Sequence, residues 1–295
     1  MAAPAANSNT NATVAVSTAL GFRTLKAEDY AEDVEGLGAD VVVALGDVPY
    51  GRSLGSKRVE KATDRTLEWL REHVAVRQEK AEQGRQGKLF ATLLPITCVN
   101  QQYYVDALVD ELREDIDGLV IQSLDTLADL PDSLASLPRL GLGLPDACTP
   151  LDVLRHISLG IDILTIPFIG AATDAGIALD FSFPAPVDSP TSRPLGVDMW
   201  SPSYATDLSP LRLDCACYAC TKHHRAYLQH LLNAKEMLGW VLLQIHNHHI
   251  MDLFFAGIRS SIAAGTFEAD VEAFGKLYES QLPAKTGQGP RYAKC

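Results

Sequence analysis

The sequence predicts an α/β chain: βα units on a parallel sheet, followed by a helical segment that opens on a metal-binding knot of cysteines. Three observations carry this. Short β-branched runs alternate with helically spaced apolar residues from Thr24 to Ile166. Cys215, Cys217 and Cys220 then fall within six residues, ahead of a His-containing helical stretch. The chain has 295 residues, 47% hydrophobic and 21% charged, enough for a sizeable core without disulfide staples. Its net charge of −12 disfavours broad, unaided binding to nucleic acid. No uninterrupted apolar run of about 18 residues suggests a membrane-spanning helix.

Residues 1–22 are rich in Ala, Ser, Asn and Thr and carry no Lys or Arg. They read as a disordered start, without a signal-peptide pattern. Val41–Leu45 is a β-branched run expected as a buried strand. Lys57–Glu82 places Leu67, Leu70 and Val74 on one helical face. Leu89–Leu94 is the next strand, and Tyr103–Arg113 a helix through Val105, Leu108, Val109 and Leu112. Leu119–Ile121, Leu140–Leu142 and Ile163–Ile166 complete five strands. Between the last two, Thr149 is an N-cap and Pro150 suits the first turn of a helix. Pro184–Leu208 has loop composition, residues after Cys220 are helical to about Ser280, and Pro283–Cys295 reads as a tail. The expected divisions are 1–22, a sheet domain over 23–183, a linker over 184–210, a helical metal-binding subdomain over 211–280, and a flexible tail over 281–295.

Thiolates are soft donors, and a structural zinc site wants four ligands in a tetrahedron. Cys215, Cys217 and Cys220 supply three; an iron–sulfur cluster would call for a fourth cysteine. The scattered Cys98, Cys148 and Cys295 do not make a disulfide framework, which fits a reducing compartment. A single straight helix would carry His246 roughly 39 Å from Cys220. Asn233 followed by Glu236 reads as a capping box, however, and a turn there makes two arms of 13 residues, Cys220–Asn233 and Asn233–His246. Equal antiparallel arms return His246 to the cysteines. His223, at Cys-x-x-His spacing, is the rival; His224 and His230 read as surface or packing residues, and His248 and His249 diverge from the face of His246.

The segments Cys215–Cys220, Arg225–Leu238 and Ile245-His246-Asn247 resemble the zinc subdomain of the tRNA-guanine transglycosylase family, and the resemblance runs from about Thr24 to about Glu279. It implies a (β/α)8 TIM-like barrel with an attached zinc subdomain, one Zn2+ per subunit, and the ligand set Cys215, Cys217, Cys220 and His246. With about five βα units in this sequence, the barrel is expected to be incomplete, shortened at its N-terminus by about three units. Catalytic members exchange the guanine at the tRNA wobble position, position 34, for queuine or a precursor, with an aspartate as nucleophile.

Here the nucleophile position falls on Thr165, at the end of Gly160-Ile-Asp-Ile-Leu-Thr165, with Asp162 away from the barrel mouth. A threonine without an adjacent base is a poor nucleophile. The following loop, Pro167–Ala172, lacks the arginines that contact tRNA in catalytic members. The base-binding positions hold Gly46-Asp47, Leu94-Pro95-Ile96 and Gln122-Ser123-Leu124. The segment carrying the second catalytic aspartate is absent. The resemblance thus points to a non-catalytic branch, with Gly46–Gly51 and Thr173–Phe183 matching it best. It implies no catalytic residues, a catalytic partner subunit in a heterodimer, and tRNA as part of the complex. It also implies a cytoplasmic location with peripheral association with the mitochondrial outer membrane. Alternatives are an active transglycosylase using Asp162, Asp47 or Asp125, and a zinc-stabilised interaction domain unrelated to tRNA. Met237 and Trp240 are candidate interface residues. Two small basic groups, Lys222–Arg225 and Arg52, Lys57, Arg58 and Lys61, are candidate phosphate contacts.

Overall fold

The computed structural model describes residues 9–48, 55–80, 87–144, 148–186, 192–284 and 286–287. Pro49–Gly51 and Arg52, the first eight residues and most of the final tail lie outside the described residues. The chain forms two compact units: 1–145 with 159–165, and 146–158 with 166–295.

The first unit opens on an antiparallel hairpin, β1 (Thr13–Thr18) and β2 (Gly21–Lys26). This corrects the expectation of a disordered start over 1–22. Backbone pairing carries the hairpin, and the Trp69 indole N–H donates to the Asn11 carbonyl at 2.7 Å. Composition alone does not record such long-range partners. Helix α1 (Ala27–Gly36) and strand β3 (Val41–Val43) follow, then helix α2 (Ser56–Lys80), strand β4 (Lys88–Thr92) and helix α3 (Gln102–Asp110). Strand β5 (Gly118–Ile121), the short helix α4 (Asp132–Ala135), strand β6 (Arg139–Gly141) and, after an excursion into the other unit, strand β7 (Ile163–Leu164) complete it.

Strands β3 to β7 make one parallel sheet in sequence order, curled as a half-barrel. The expectation of five βα-type strands on an incomplete TIM-like barrel corresponds to this sheet. Its residues show why it forms. Every residue of β5 is buried, as befits a parallel strand covered on both faces. Val42, Leu89, Ala91, Leu119 and Ile121 form a core with Leu67, Leu70 and Val74 of α2 and Tyr104, Val105 and Leu108 of α3. Each fully buried leucine here is worth about 1.5–3 kcal/mol of hydrophobic transfer.

The second unit is mostly helical. It contains α5 (Pro150–Ser158), α6 (Phe168–Ala175), α7 (Tyr218–Lys222), α8 (Arg225–Asn233), α9 (Met237–Ala264) and α10 (Phe267–Leu277). Thr149 caps α5 as expected: its hydroxyl accepts from the Asp152 N–H at 3.3 Å, and the Asp152 carboxylate accepts from the Thr149 N–H at 2.8 Å. A two-stranded antiparallel sheet, β8 (Ile177–Leu179) and β9 (Gly196–Asp198), lies in this unit. Strand β9 corrects the reading of 184–210 as a linker, and the contact grouping places α5, α6 and β8 with the helical unit rather than with a domain over 23–183. Phe181, Phe183, Phe254, Phe274 and Tyr278 form the aromatic core, with Phe181 edge-on to Phe254 at 5.4 Å.

Candidate metal centre

The structure brings Cys215, Cys217, Cys220 and His246 together, with their ligand atoms all within 4.8 Å of one another. Asp214, with φ of 62°, turns the chain into the cysteines. Cys217 is the N-cap of α7, and its Sγ accepts the Cys220 N–H at 3.4 Å. The α8–α9 hairpin delivers the histidine. Its turn differs from the expected capping box: Asn233 is the last residue of α8, Lys235 adopts φ of 59°, and Glu236 caps α9 without a side-chain bond. Gly239 allows the close crossing, since a Cβ there would stand 3.2 Å from Leu231 Cβ. The two-arm argument from Asn233 thus finds the correct fold-back for a different local reason.

His246 is fully buried. Its Nδ1 stands 3.7, 3.6 and 3.4 Å from the Sγ atoms of Cys215, Cys217 and Cys220. Its Nε2 faces the Leu179 carbonyl at 2.9 Å. That oxygen can only accept, so Nε2 carries the proton and Nδ1 presents a lone pair to the sulfurs. Burial first, and the neighbouring cysteines next, push the Cys220 thiol up to about 12. Such thiols ionise readily only with a cation among them.

The spacing tests the donor set against a metal. Zinc–sulfur bonds of about 2.3 Å and a zinc–nitrogen bond of about 2.0 Å, at a tetrahedral angle, separate sulfur from nitrogen by about 3.5 Å. The three observed separations bracket that value. The cluster can therefore hold a soft divalent ion such as zinc.

The other histidines have different work. His223 stacks on Tyr227 with ring centroids 5.0 Å apart, and the Nδ1 of His224 accepts the Tyr227 N–H at the start of α8. His248 bonds Gln244 at 2.6 Å on the exposed side of α9. Asn247 is a functional-site residue that sequence reasoning missed. It is fully buried, and its side chain bonds the Leu179 N–H at 2.8 Å, the Ile177 carbonyl at 3.0 Å and Thr173 Oγ1 at 2.9 Å. The available signal was an amide directly after His246 on a long helical stretch.

Two of the three alternative nucleophiles, Asp47 and Asp162, are committed elsewhere. Asp47 has no exposed surface and holds Arg58 by two bonds of 2.7 and 2.6 Å, Arg65 at 3.0 Å and Asn9 at 2.7 Å. Burial opposes its charge, but the hydrogen bonds from Arg58, Arg65 and Asn9 outweigh it and hold the carboxyl below its usual range. Asp162 accepts the Arg139 N–H at 2.8 Å, at the entry to β7. Asp125 is exposed in a turn begun by Ser123. The hydroxyl of Thr165 is bonded to the Gly141 carbonyl at 3.4 Å.

The candidate basic groups are likewise partly spent. Arg58 is bound to Asp47, and Arg225 bonds the Pro210 and Leu211 carbonyls and pairs with Asp207 at 3.4 Å. Lys222, Lys57 and Lys61 remain exposed. Trp240 is corrected as an interface residue: it is buried and packs on Trp200 at 6.2 Å.

The fold and site together define a protein with a curled parallel βα half-barrel sheet and a helical unit whose Cys3His cluster could hold a metal ion. A family model described as queuine tRNA-ribosyltransferase matches residues 2–280, and the chain belongs to that family. It is 36% identical over 282 residues to the queuine tRNA-ribosyltransferase accessory subunit 2 of Schizosaccharomyces pombe, covering 94% of this chain and 62% of that protein. The protein of the same name in Drosophila sechellia is 32% identical over 275 residues, covering 84% of this chain and 61% of the relative. That of Aedes aegypti is 27% identical over 279 residues, covering 89% and 65%. The chain thus spans less than two thirds of the length of these curated relatives.

Proposed function

We propose that this chain is a non-catalytic accessory subunit of a heterodimeric queuine tRNA-ribosyltransferase. Its role is to hold a structural zinc, pair with the catalytic subunit, and help position the tRNA whose wobble guanine is exchanged for queuine. The carrying observation is the contrast between two sets of residues. The four metal donors are assembled, with Cys215, Cys217 and His246 buried and Cys220 partly so. The carboxylates nearest the former catalytic positions are instead tied into ion pairs and backbone bonds, and the nucleophile position holds Thr165. The naming of the relatives as accessory subunits supports the same reading.

Cys215, Cys217, Cys220 and His246 would hold the zinc. Four protein ligands leave no open position, so the ion contributes folding energy and does not activate water. The outward face of α9 suits a partner subunit: Leu238, Val241 and Ile245 are 44%, 50% and 39% exposed along successive turns. Exposed apolar residues aligned on a rigid helix are typical of a protein interface. A cytoplasmic complex peripherally associated with the mitochondrial outer membrane is the location the family resemblance supports. Among the described residues, no helix is long and apolar enough to cross a membrane.

Co-expression with a catalytic subunit, purification through a tag on this chain, zinc counting and an exchange assay test the proposal. The expected result is a zinc-containing complex whose guanine-to-queuine exchange requires the partner's nucleophile. Exchange by this chain alone would overturn the non-catalytic role. A zinc-loaded chain that captures no partner would favour an interaction domain unrelated to tRNA.

A further inference from the structure

Strand β8 has one edge paired to β9 and the other turned toward α9. In an antiparallel ladder, alternate residues turn their N–H and C=O groups to opposite edges. The Asp180 N–H donates to the Leu195 carbonyl and the Met199 N–H to the Gly176 carbonyl, so the even-numbered residues face β9. The groups of Ile177 and Leu179 face the other way, and both residues are buried. No water can satisfy them there, and an unpaired buried backbone group costs about 1–3 kcal/mol.

Two consecutive side chains of α9 close this edge. His246 Nε2 donates to the Leu179 carbonyl at 2.9 Å. Asn247 Oδ1 accepts the Leu179 N–H at 2.8 Å, and its Nδ2 donates to the Ile177 carbonyl at 3.0 Å and to Thr173 Oγ1 at 2.9 Å. The Thr173 hydroxyl gives its own proton to the Ile169 carbonyl at 2.9 Å, leaving a lone pair for Asn247. The backbone N–H and C=O partners fix which way the Asn247 amide faces. One peptide strand is therefore gripped on both sides of the group that orients the metal-ligating histidine.

We propose that Asn247 is a positioning residue for the metal centre. It holds β8 in the register that places the Leu179 carbonyl against His246 Nε2. The imidazole is thereby committed to the tautomer and ring angle that aim Nδ1 at the three sulfurs. This rests on the reading that the cluster holds zinc.

The test uses the full chain. Zinc per chain is measured first, then zinc affinity by competition with a chromophoric chelator, and the visible spectrum of the cobalt-substituted protein. Asn247→Ala is expected to weaken zinc binding about 10–100-fold and to shift the cobalt bands. Thr173→Val removes one acceptor but leaves both Asn247–β8 contacts, and its affinity is expected to stay within about threefold of the parent. Asn247→Ala with parental affinity and parental cobalt bands would overturn the proposal. So would Thr173→Val weakening zinc as much as Asn247→Ala, since that would mark a general packing loss. A parent chain that binds no zinc would overturn the metal reading itself, and this proposal with it. If Asn247→Ala does not fold, amide hydrogen exchange in the parent decides. Zinc removal is expected to release the Leu179 amide more than the Asp180 amide on the opposite edge, and equal release would overturn the coupling.

Discussion

Replacing His246 with alanine perturbs the ligand set and the β8 edge at once, and the structure sets the size of the effect. A structural Cys/His zinc site contributes about 10–16 kcal/mol, so one ligand of four carries about 3–4 kcal/mol. The substitution also strips the proton donor from the Leu179 carbonyl, which lies at 2.9 Å in a fully buried setting. An orphaned acceptor adds about 1–3 kcal/mol. The total, about 4–7 kcal/mol, is a large share of a typical domain's stability. At about 2–4 °C per kcal/mol, the zinc-loaded chain should lose roughly 8–28 °C of melting temperature. The assay is thermal unfolding by circular dichroism, with zinc counted by atomic spectroscopy before and after chelator treatment. The parent should fall further when chelated, because the whole site is then lost, and His246→Ala, holding zinc more weakly, should fall less. The rival ligand provides the control: His223→Ala should keep its zinc, because His223 is stacked on Tyr227. Retention of zinc by His246→Ala with an unchanged melting temperature would refute the four-ligand geometry.

Asp47→Ala should destabilise the chain by about 3 kcal/mol in a denaturant titration, the low end for a broken buried ion pair because Arg58 and Arg65 retain 38% and 18% side-chain exposure. The parent's Asp47 carboxyl titrates below its ordinary value of 3.8, so its stabilisation is present above about pH 4 and is lost as pH falls through the lowered value; Asp47→Ala should flatten that acid limb of the stability curve. Ile245→Asp, on the exposed side of α9, should abolish partner capture in a pull-down while moving the melting temperature of the free chain by less than about 2 °C. Leu119→Ala, in the centre of the fully buried β5, should cost about 2–5 kcal/mol by chemical denaturation and leave zinc stoichiometry unchanged.

The sheet and the ligand set are the parts that local patterns encode. Leu89–Ala91 and Leu119–Ile121 announce buried strands because burial on both faces demands continuous apolar residues, whereas of Val41–Val43 only Val42 is buried. The cysteine spacing announces a donor set because soft ligands on a tight turn have few other uses. What escaped depends on distant partners. The β1–β2 hairpin shows no strict alternation, its apolar residues being Val14, Ala15, Val16, Phe22 and Leu25, and its anchoring bond reaches from Asn11 to Trp69. Strand β9 is three residues long within a Pro- and Ser-rich stretch and exists because β8 offers it an edge. Asn247 looks unfavourable in mid-helix until the strand it satisfies is in place. Trp240 is a good interface residue by type, and only Trp200 beside it explains its burial.

These two classes of residue bear on what the molecule is for. Asp47 is the hub of a network with Asn9, Arg58 and Arg65. Asp162 is used to pin Arg139 at the foot of β7. In such positions a carboxylate held charged by permanent partners is a poor general base, since accepting a proton would break the bonds that stabilise its charge. The metal unit shows the opposite organisation, with donors, proton partner and strand edge all satisfied around His246. Polar chemistry in this chain has been directed toward holding shape. Such a distribution suits the accessory role proposed above, in which a partner would supply the reactive carboxylates.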